Sequence, residues 1–401
     1  MTAAGRLLGV AVALALTAYL VGRDGGQTGD LVVHEWGTFT SVAGSDGSAV
    51  PWAPLSGTPD LPCFVDQLSS QNSKLALGFV RMETPVIYFY SARPLVASVQ
   101  VRFPEGWLTE WFPQAARVKP QRPKPGTPSQ FGGGLIGWDN IRVNSSRVDS
   151  SGASSSDNAS LPSSTGPSRY YAARNTDSGI IATGSDTEKF LFYRGVGNFR
   201  VRVAPRFDQP GKMEIRNRGS DAIPMAVVFE NRKGKIGYQF VHSIPATAEV
   251  NLPELTGSLV ELQHLLVESL VEFGLYRKEA EAMLDTWKDS WFDEGTRVFY
   301  ITPRRMVDSV LPLVVTPHAA TLSRIFVGRV EVQAPWTQQA IAAALENGDV
   351  DTLARFDRFL DPFLEQLGFT EPERWSQAAQ RYVDAAHVRM ARSRASESCV
   401  K

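Results

Sequence analysis

Residue types able to do chemistry first gather in Val33-His34-Glu35-Trp36-Gly37-Thr38-Phe39-Thr40-Ser41. On a strand, alternation puts His34, Trp36 and Thr38 on one face and Glu35, Gly37 and Phe39 on the other. One reading makes His34 a ligand or an acid/base, with Trp36 as a stacking wall for a bound molecule. The other makes Trp36 a core residue and His34 its hydrogen-bonded polar neighbour. The segment is not the paired-histidine zinc motif, because Thr38 and Phe39 stand where a second histidine is needed. The chain holds 5 histidines, and none has a short-range metal spacing.

Glu83 precedes a very apolar run, Val86-Ile87-Tyr88-Phe89-Tyr90. Glu35 and Glu83 are the one carboxylate pair suited to glycoside-type acid/base work, which needs two carboxyl groups flanking the scissile bond. The plainer reading of Glu83 is a carboxylate that is solvated or paired with an arginine. Further on, Arg194 adjoins Gly195-Val196-Gly197. A dinucleotide loop needs a third glycine and a following helix. The spacing here predicts a tight turn between strands, with Arg194 at its edge able to hold a carboxylate or an acidic ligand.

Asp289, Asp293 and Glu294 cluster where a helix should end, a place the helix dipole disfavours for negative charge. Arg297 or a cation would offset that cost, but EF-hand calcium spacing is absent. Trp287 and Trp291, at i and i+4, read as core. The totals of 9 tryptophans and 10 tyrosines would also suit a sugar-stacking surface. No nucleophile elbow and no phosphate-binding Walker loop occurs. The sequence implies no metal and no cofactor.

These residues must be positioned by a chain of 401 residues with 43% hydrophobic and 21% charged side chains, ordinary globular composition. Lys and Arg total 41 against 42 Asp and Glu. Without a basic surplus to drive counterion release, nucleic acid is not an expected partner. From Leu31 to residue 251 the pattern is β, predicting a β-sandwich-like domain. Expected strands cover residues 31–42, 86–91, 95–103, 189–193, 199–203, 212–217, 226–230 and 235–242. Asn231-Arg232-Lys233-Gly234 reads as a hairpin turn. Pro120–Ser129 reads as a stiff linker. Residues 144–168 hold 11 serines in 25 positions and read as a disordered loop.

From residue 252 the period becomes helical. Leu259, Leu262, Leu265, Leu266, Leu270 and Phe273 lie on one face of a helix that stops at Gly274, and a second runs from Arg277 to Ser290. Strands at 296–301, 313–315 and 322–332 and a short helix opening at Thr302-Pro303 follow, then helices from Thr337 to a charged amphipathic tail. The expected fold class is α+β, with the sandwich-like domain at 31–251 and a mixed α/β domain with a helical C-terminal tail at 252–401.

Residues 1–23 read as an export signal. Arg6 precedes the charge-free run Leu7–Gly22, whose sixteen residues span roughly 24 Å as a helix, short of the about 30 Å of bilayer hydrocarbon. The segment is a cleaved signal peptide, or an uncleaved anchor holding the protein to the membrane through residues 7–22. Residues 24–30 form a linker. The 2 cysteines, Cys63 and Cys399, form no disulfide scaffold; they are one bridge or two free thiols.

The segments HEWGTFTSVAGSDG (34–47), METPVIYFYS (82–91), EKFLFYRGVGNF (188–199), and TWKDSWFDEGTRVFYITP and VGRVE within 276–331 resemble a group of exported bacterial proteins with no established activity. The resemblance covers most of the chain after the signal. It implies export, and no catalytic role is carried over from it. The expectation is therefore an exported periplasmic or extracellular envelope protein with a non-catalytic binding or scaffolding role towards glycan or protein. The alternative is an envelope hydrolase, glycan-active or metal-assisted, using Glu35, Glu83 and His34. Trp36 and Arg194 are the candidate ligand-binding residues.

Overall fold

The computed structural model describes residues 31–54, 61–68, 77–119, 132–146, 161–163, 168–209, 211–368 and 377–392. The export segment 1–23, the linkers 24–30 and 120–129, most of the serine-rich stretch and Cys399 lie outside the described residues. Cys63 is half-buried.

Strands in chain order are β1 Val32–Ala43, β2 Asp66–Gln67, β3 Val80–Tyr90, β4 Leu95–Phe103, β5 Gly106–Phe112, β6 Arg117–Lys119, β7 Gly134–Val143, β8 Ile181–Thr183 and β9 Asp186–Glu188. They continue with β10 Leu191–Gly197, β11 Val203–Gln209, β12 Lys212–Asn217, β13 Ile223–Arg232, β14 Lys235–Ile244, β15 Thr247–Asn251, β16 Gly295–Ile301, β17 Leu313–Thr316 and β18 Thr321–Val332. Helices are α1 Leu259–Glu272, α2 Arg277–Trp291, α3 Arg304–Val310, α4 Pro335–Asn347, α5 Val350–Arg355, α6 Leu360–Gln366 and α7 Gln377–Arg392. The fold class is α+β.

A nine-stranded sheet in the order β14-β13-β16-β18-β1-β3-β10-β5-β2 is the centre of the molecule. Within it β1 and β18 are parallel, and the other neighbours pair antiparallel. The sheet crosses the boundary expected at 251/252, because β16 and β18 lie between β13 and β1. The change of period at residue 252 marks where helices are added, and the same sheet continues past it.

Both faces of the central sheet are covered, which explains why β1, β3 and β16 are buried along nearly their whole length. On one face Trp36, Tyr88, Phe229 and Phe299 pack with Leu262, Leu266 and Leu270 of α1 and with Met283, Trp287 and Trp291 of α2. On the other, Phe39, Ile87, Phe89 and Phe326 meet Val99, Val101, Trp138 and Ile141 of a six-stranded sheet built on β4 and β7. Further along that face, Ala226, Val228 and Val330 meet Met213, Ile215 and Val250 of the sheet β11-β12-β15. A sandwich is thus present, with helices as an added layer. In β4 burial alternates, the signature of one solvated face.

Local signals explain several element ends. Lys233 and Gly234, at φ 51° and 80°, make the two-residue turn between β13 and β14. Gly274, at φ 115°, follows α1. The short helix opens one residue later than expected, with Pro303 at the cap position.

Two expectations are corrected. No strand spans 199–203; β11 begins at Val203. Gly195 and Gly197 form no turn but lie inside β10. A Cβ on Gly195 would come within 2.3 Å of the Trp107 carbonyl oxygen, so glycine there permits close strand approach.

Candidate functional site

The sheet face that carries Trp36 changes character towards the C-terminal ends of β1 and β18. Register aligns Thr40 with Arg81 of β3 on one side and with Arg329 of β18 on the other. Two residues along β3, Glu83 aligns with Thr38. Two residues along β18, Glu331 aligns with Arg297 of β16. Beyond β3, Arg194 of β10 aligns with Glu110 of β5. Helices α1 and α2 cover the apolar part of this face, and the charged part forms the floor of a cleft of about 850 Å³. The C-terminal end of α2 and the segment 355–359 after α5 form its walls, with the short 3-10 helix Arg169–Arg174 between them.

The floor is an interlocked set of ion pairs. Arg358 reaches down from the wall and donates to both oxygens of Glu83, at 2.7 and 3.2 Å. Burial pushes the Glu83 carboxyl up, but Arg358, with help from Arg329, overcomes this and holds it at about 2. Arg81 donates to Glu110 at 3.1 Å. Glu331 accepts from Arg329 Nε at 2.6 Å and from Arg297 Nε at 3.0 Å. Burial raises the Glu331 carboxyl, and these two guanidiniums bring it below the usual carboxylate range.

Arg297 also answers the question raised by the acidic helix end. Its Nη1 donates to the carbonyls of Trp291 and Asp293, at 2.5 and 2.9 Å, and its Nη2 to that of Glu294 at 3.2 Å. A buried cation therefore satisfies the orphan carbonyls where α2 ends. Asp289, Asp293 and Glu294 form an acidic rim above the cationic floor. Among the described residues, no group of three His, Cys, Asp or Glu side chains is placed to hold a metal ion. Tyr171 and Phe359 supply aromatic wall.

The sequence-predicted residues separate into three places. Glu83 and Arg194 line the cleft. Arg194 is buried and donates to Thr84 Oγ1 at 3.1 Å. A register shift between Arg194 and Gly195 marks a bulge, a common device for aiming a side chain beside a site. His34 and Trp36 lie on the same sheet face but under the helical cover. His34 Nδ1 is 2.8 Å from Glu279 of α2, its ring centre lies 4.4 Å from that of Tyr276 with the two planes tilted by 37°, and Trp36 is fully buried. Glu35 points to the opposite face, where it accepts from Tyr193 and Arg324. Burial and the Glu35 charge raise the Tyr193 phenol well above its ordinary range, so it stays a donor. His34, Glu35 and Glu83 thus sit in three separate buried contacts, and Glu83 alone of the three reaches the cleft.

Sequence reasoning did not single out Arg81, Arg329, Glu331 or Arg358. A signal existed for two of them. Val327-Gly328-Arg329-Val330-Glu331-Val332 places two opposite charges on one face of an apolar strand, and buried charge in such a strand must find a partner. Nothing local marks Arg358, whose partner Glu83 is 275 residues away. Compared with protein-family models and with curated protein sequences, the chain matches none.

Proposed function

We propose that this is an exported cell-envelope protein that binds glycan, without catalysis, in the charged cleft on the central sheet. The observation that carries the reading is the cleft itself, about 850 Å³, with buried arginines beneath it and acidic and aromatic groups at its rim. Its size suits a short saccharide. Tyr171 and Phe359 are half-buried rings of the lining, with Arg174 over the first at 4.9 Å and Arg358 over the second at 5.1 Å, and add apolar surface beside the charged groups. The carboxylates of Asp289, Asp293 and Glu294 accept hydrogen bonds from hydroxyl groups.

Glu83 is unsuited to be the general acid of the hydrolase alternative. A general acid must hold a proton near working pH. A carboxyl at about 2, with both oxygens on Arg358, is ionised and engaged. Export rests on the charge-free run at residues 7–22.

The test is to titrate the full chain against a panel of envelope saccharides and to assay the same mixtures for released reducing ends. The reading expects saturable binding and no product. Product formation abolished by Glu83→Gln would favour the hydrolase alternative, and absence of all saccharide binding would overturn the reading.

A further inference from the structure

We propose that the cleft floor is a carboxylate-binding site, and that the glycan held there is acidic, its carboxylate seated on the terminal nitrogens of Arg329. The inference rests on the glycan-binding reading and adds the substrate class. The floor holds the guanidiniums of Arg81, Arg194, Arg297 and Arg329, with Arg358 reaching down from the wall, beside the carboxylates of Glu83, Glu110 and Glu331. The cleft lining as a whole is balanced, eight basic against eight acidic side chains, so an anion site there depends on where donors remain uncommitted.

The individual contacts locate the uncommitted donors. Arg297 is consumed by Glu331 and three backbone carbonyls. Arg81 is turned to Glu110 and Thr109. Arg358 is turned to Glu83. Arg329 gives Nε to Glu331, and its two terminal nitrogens have no hydrogen-bond partner among the described residues. Yet Arg329 is only 2% exposed and lines the cleft. A guanidinium held this far from solvent, with one edge already committed, presents its other edge as a fixed two-donor fork. That geometry matches the two oxygens of a carboxylate.

The rim decides between anions. Glu294 faces Arg355 at 3.7 Å, whereas Asp289 and Asp293 border the same cleft and disfavour a dianion. A monoanion with a hydroxyl-rich body satisfies both levels, with its charge on the floor and its hydroxyls at the rim. A sugar bearing a carboxylate, as in a hexuronic acid, has that layout. Phe359 supports the arrangement from the side, with its ring centre 5.3 Å from the Arg329 guanidinium carbon.

The experiment is titration calorimetry of the full chain with a galacturonic acid oligomer, its methyl ester, a neutral oligomer of the same length, and inorganic phosphate. The acid should bind, and the ester roughly tenfold or more weakly, a loss of about 1.4 kcal/mol. Arg329→Gln should lower affinity for the acid to that for the ester and leave the ester unchanged. Arg329→Lys should recover part of the difference. If Arg329→Gln fails to fold, the acid-against-ester comparison on the parent protein decides. Equal affinity for acid and ester would overturn the carboxylate site and leave glycan binding standing. Binding of phosphate with no saccharide bound would overturn both.

Discussion

Arg358 and Glu83 join the C-terminal helical region to the central sheet, with nitrogen–oxygen distances of 2.7 and 3.2 Å across 275 residues. The pair fixes the wall of the cleft to its floor. It also makes stability depend on acid. The folded-state value of Glu83, about 2, lies below its ordinary 4.5. Its contribution is therefore complete above about pH 4.5 and is lost as pH falls from there towards 2, on the order of 3 kcal/mol in all. Arg358→Ala should destabilise the protein at pH 7, and its deficit relative to the parent should shrink below pH 4.5. Denaturant midpoints from pH 3 to 7 read this directly. A deficit that is the same at pH 3 as at pH 7 would show that the pair is not what holds the wall.

Glu279 is the acceptor for the second buried cluster. It takes hydrogen bonds from the Tyr90 hydroxyl and the Tyr276 backbone N–H, both at 2.7 Å, and faces His34 Nδ1 at 2.8 Å. The capping interaction also fixes the start of α2. Glu279→Ala strands two buried polar groups, on His34 and Tyr90, and the cap N–H of Tyr276, and should cost about 3–5 kcal/mol in denaturant unfolding. Saccharide binding per folded molecule should be unchanged, because this cluster is covered by α2. A selective loss of binding in a fully stable variant would place His34 in the functional site after all.

Trp287 is 2% exposed, packs in the core under α2 and touches the edge of the cleft. Trp287→Ala should destabilise by about 3–5 kcal/mol. A loss below about 1 kcal/mol would instead mark the ring as a ligand surface.

Gly328 aligns with Tyr300 between β18 and β16. A Cβ there would fall 2.0 Å from the Tyr300 ring. Gly328→Ala should cost about 3 kcal/mol, with a lower thermal midpoint, because the ring must leave its packed position among Met213, Val298 and Val330 on the sheet face opposite the cleft. An unchanged midpoint would show that Tyr300 turns aside freely.

Much of the fold was legible because local signals and burial agreed. β4 alternates as a one-sided strand should, the Lys233-Gly234 turn carries the φ values its hairpin needs, and α1 and α2 form where their apolar periodicity places them, although Leu259 and Leu265 of the expected α1 face are exposed. The glycines of β10 misled because a glycine needed for close strand approach has the same sequence appearance as one needed for a turn. The extent of the central sheet was hidden for a topological reason. The parallel pairing of β1 with β18 joins residues almost 300 positions apart, and no window along the chain contains both. The site follows the same rule. Glu83 and Arg194 could be nominated from their neighbourhoods, whereas Arg358 gains its meaning only from a partner brought to it by the tertiary fold.

The central claim is that ligand enters the charged cleft and not the clusters around His34 or Glu35. Hydrogen–deuterium exchange of the full chain, with and without a saturating galacturonic acid oligomer, tests it most directly. The account predicts added protection in residues 285–297, 353–359 and 169–175, which wall the cleft, with residues 32–36 and 321–326 unchanged. Protection confined to those last two segments, or no protection anywhere at saturation, would contradict it.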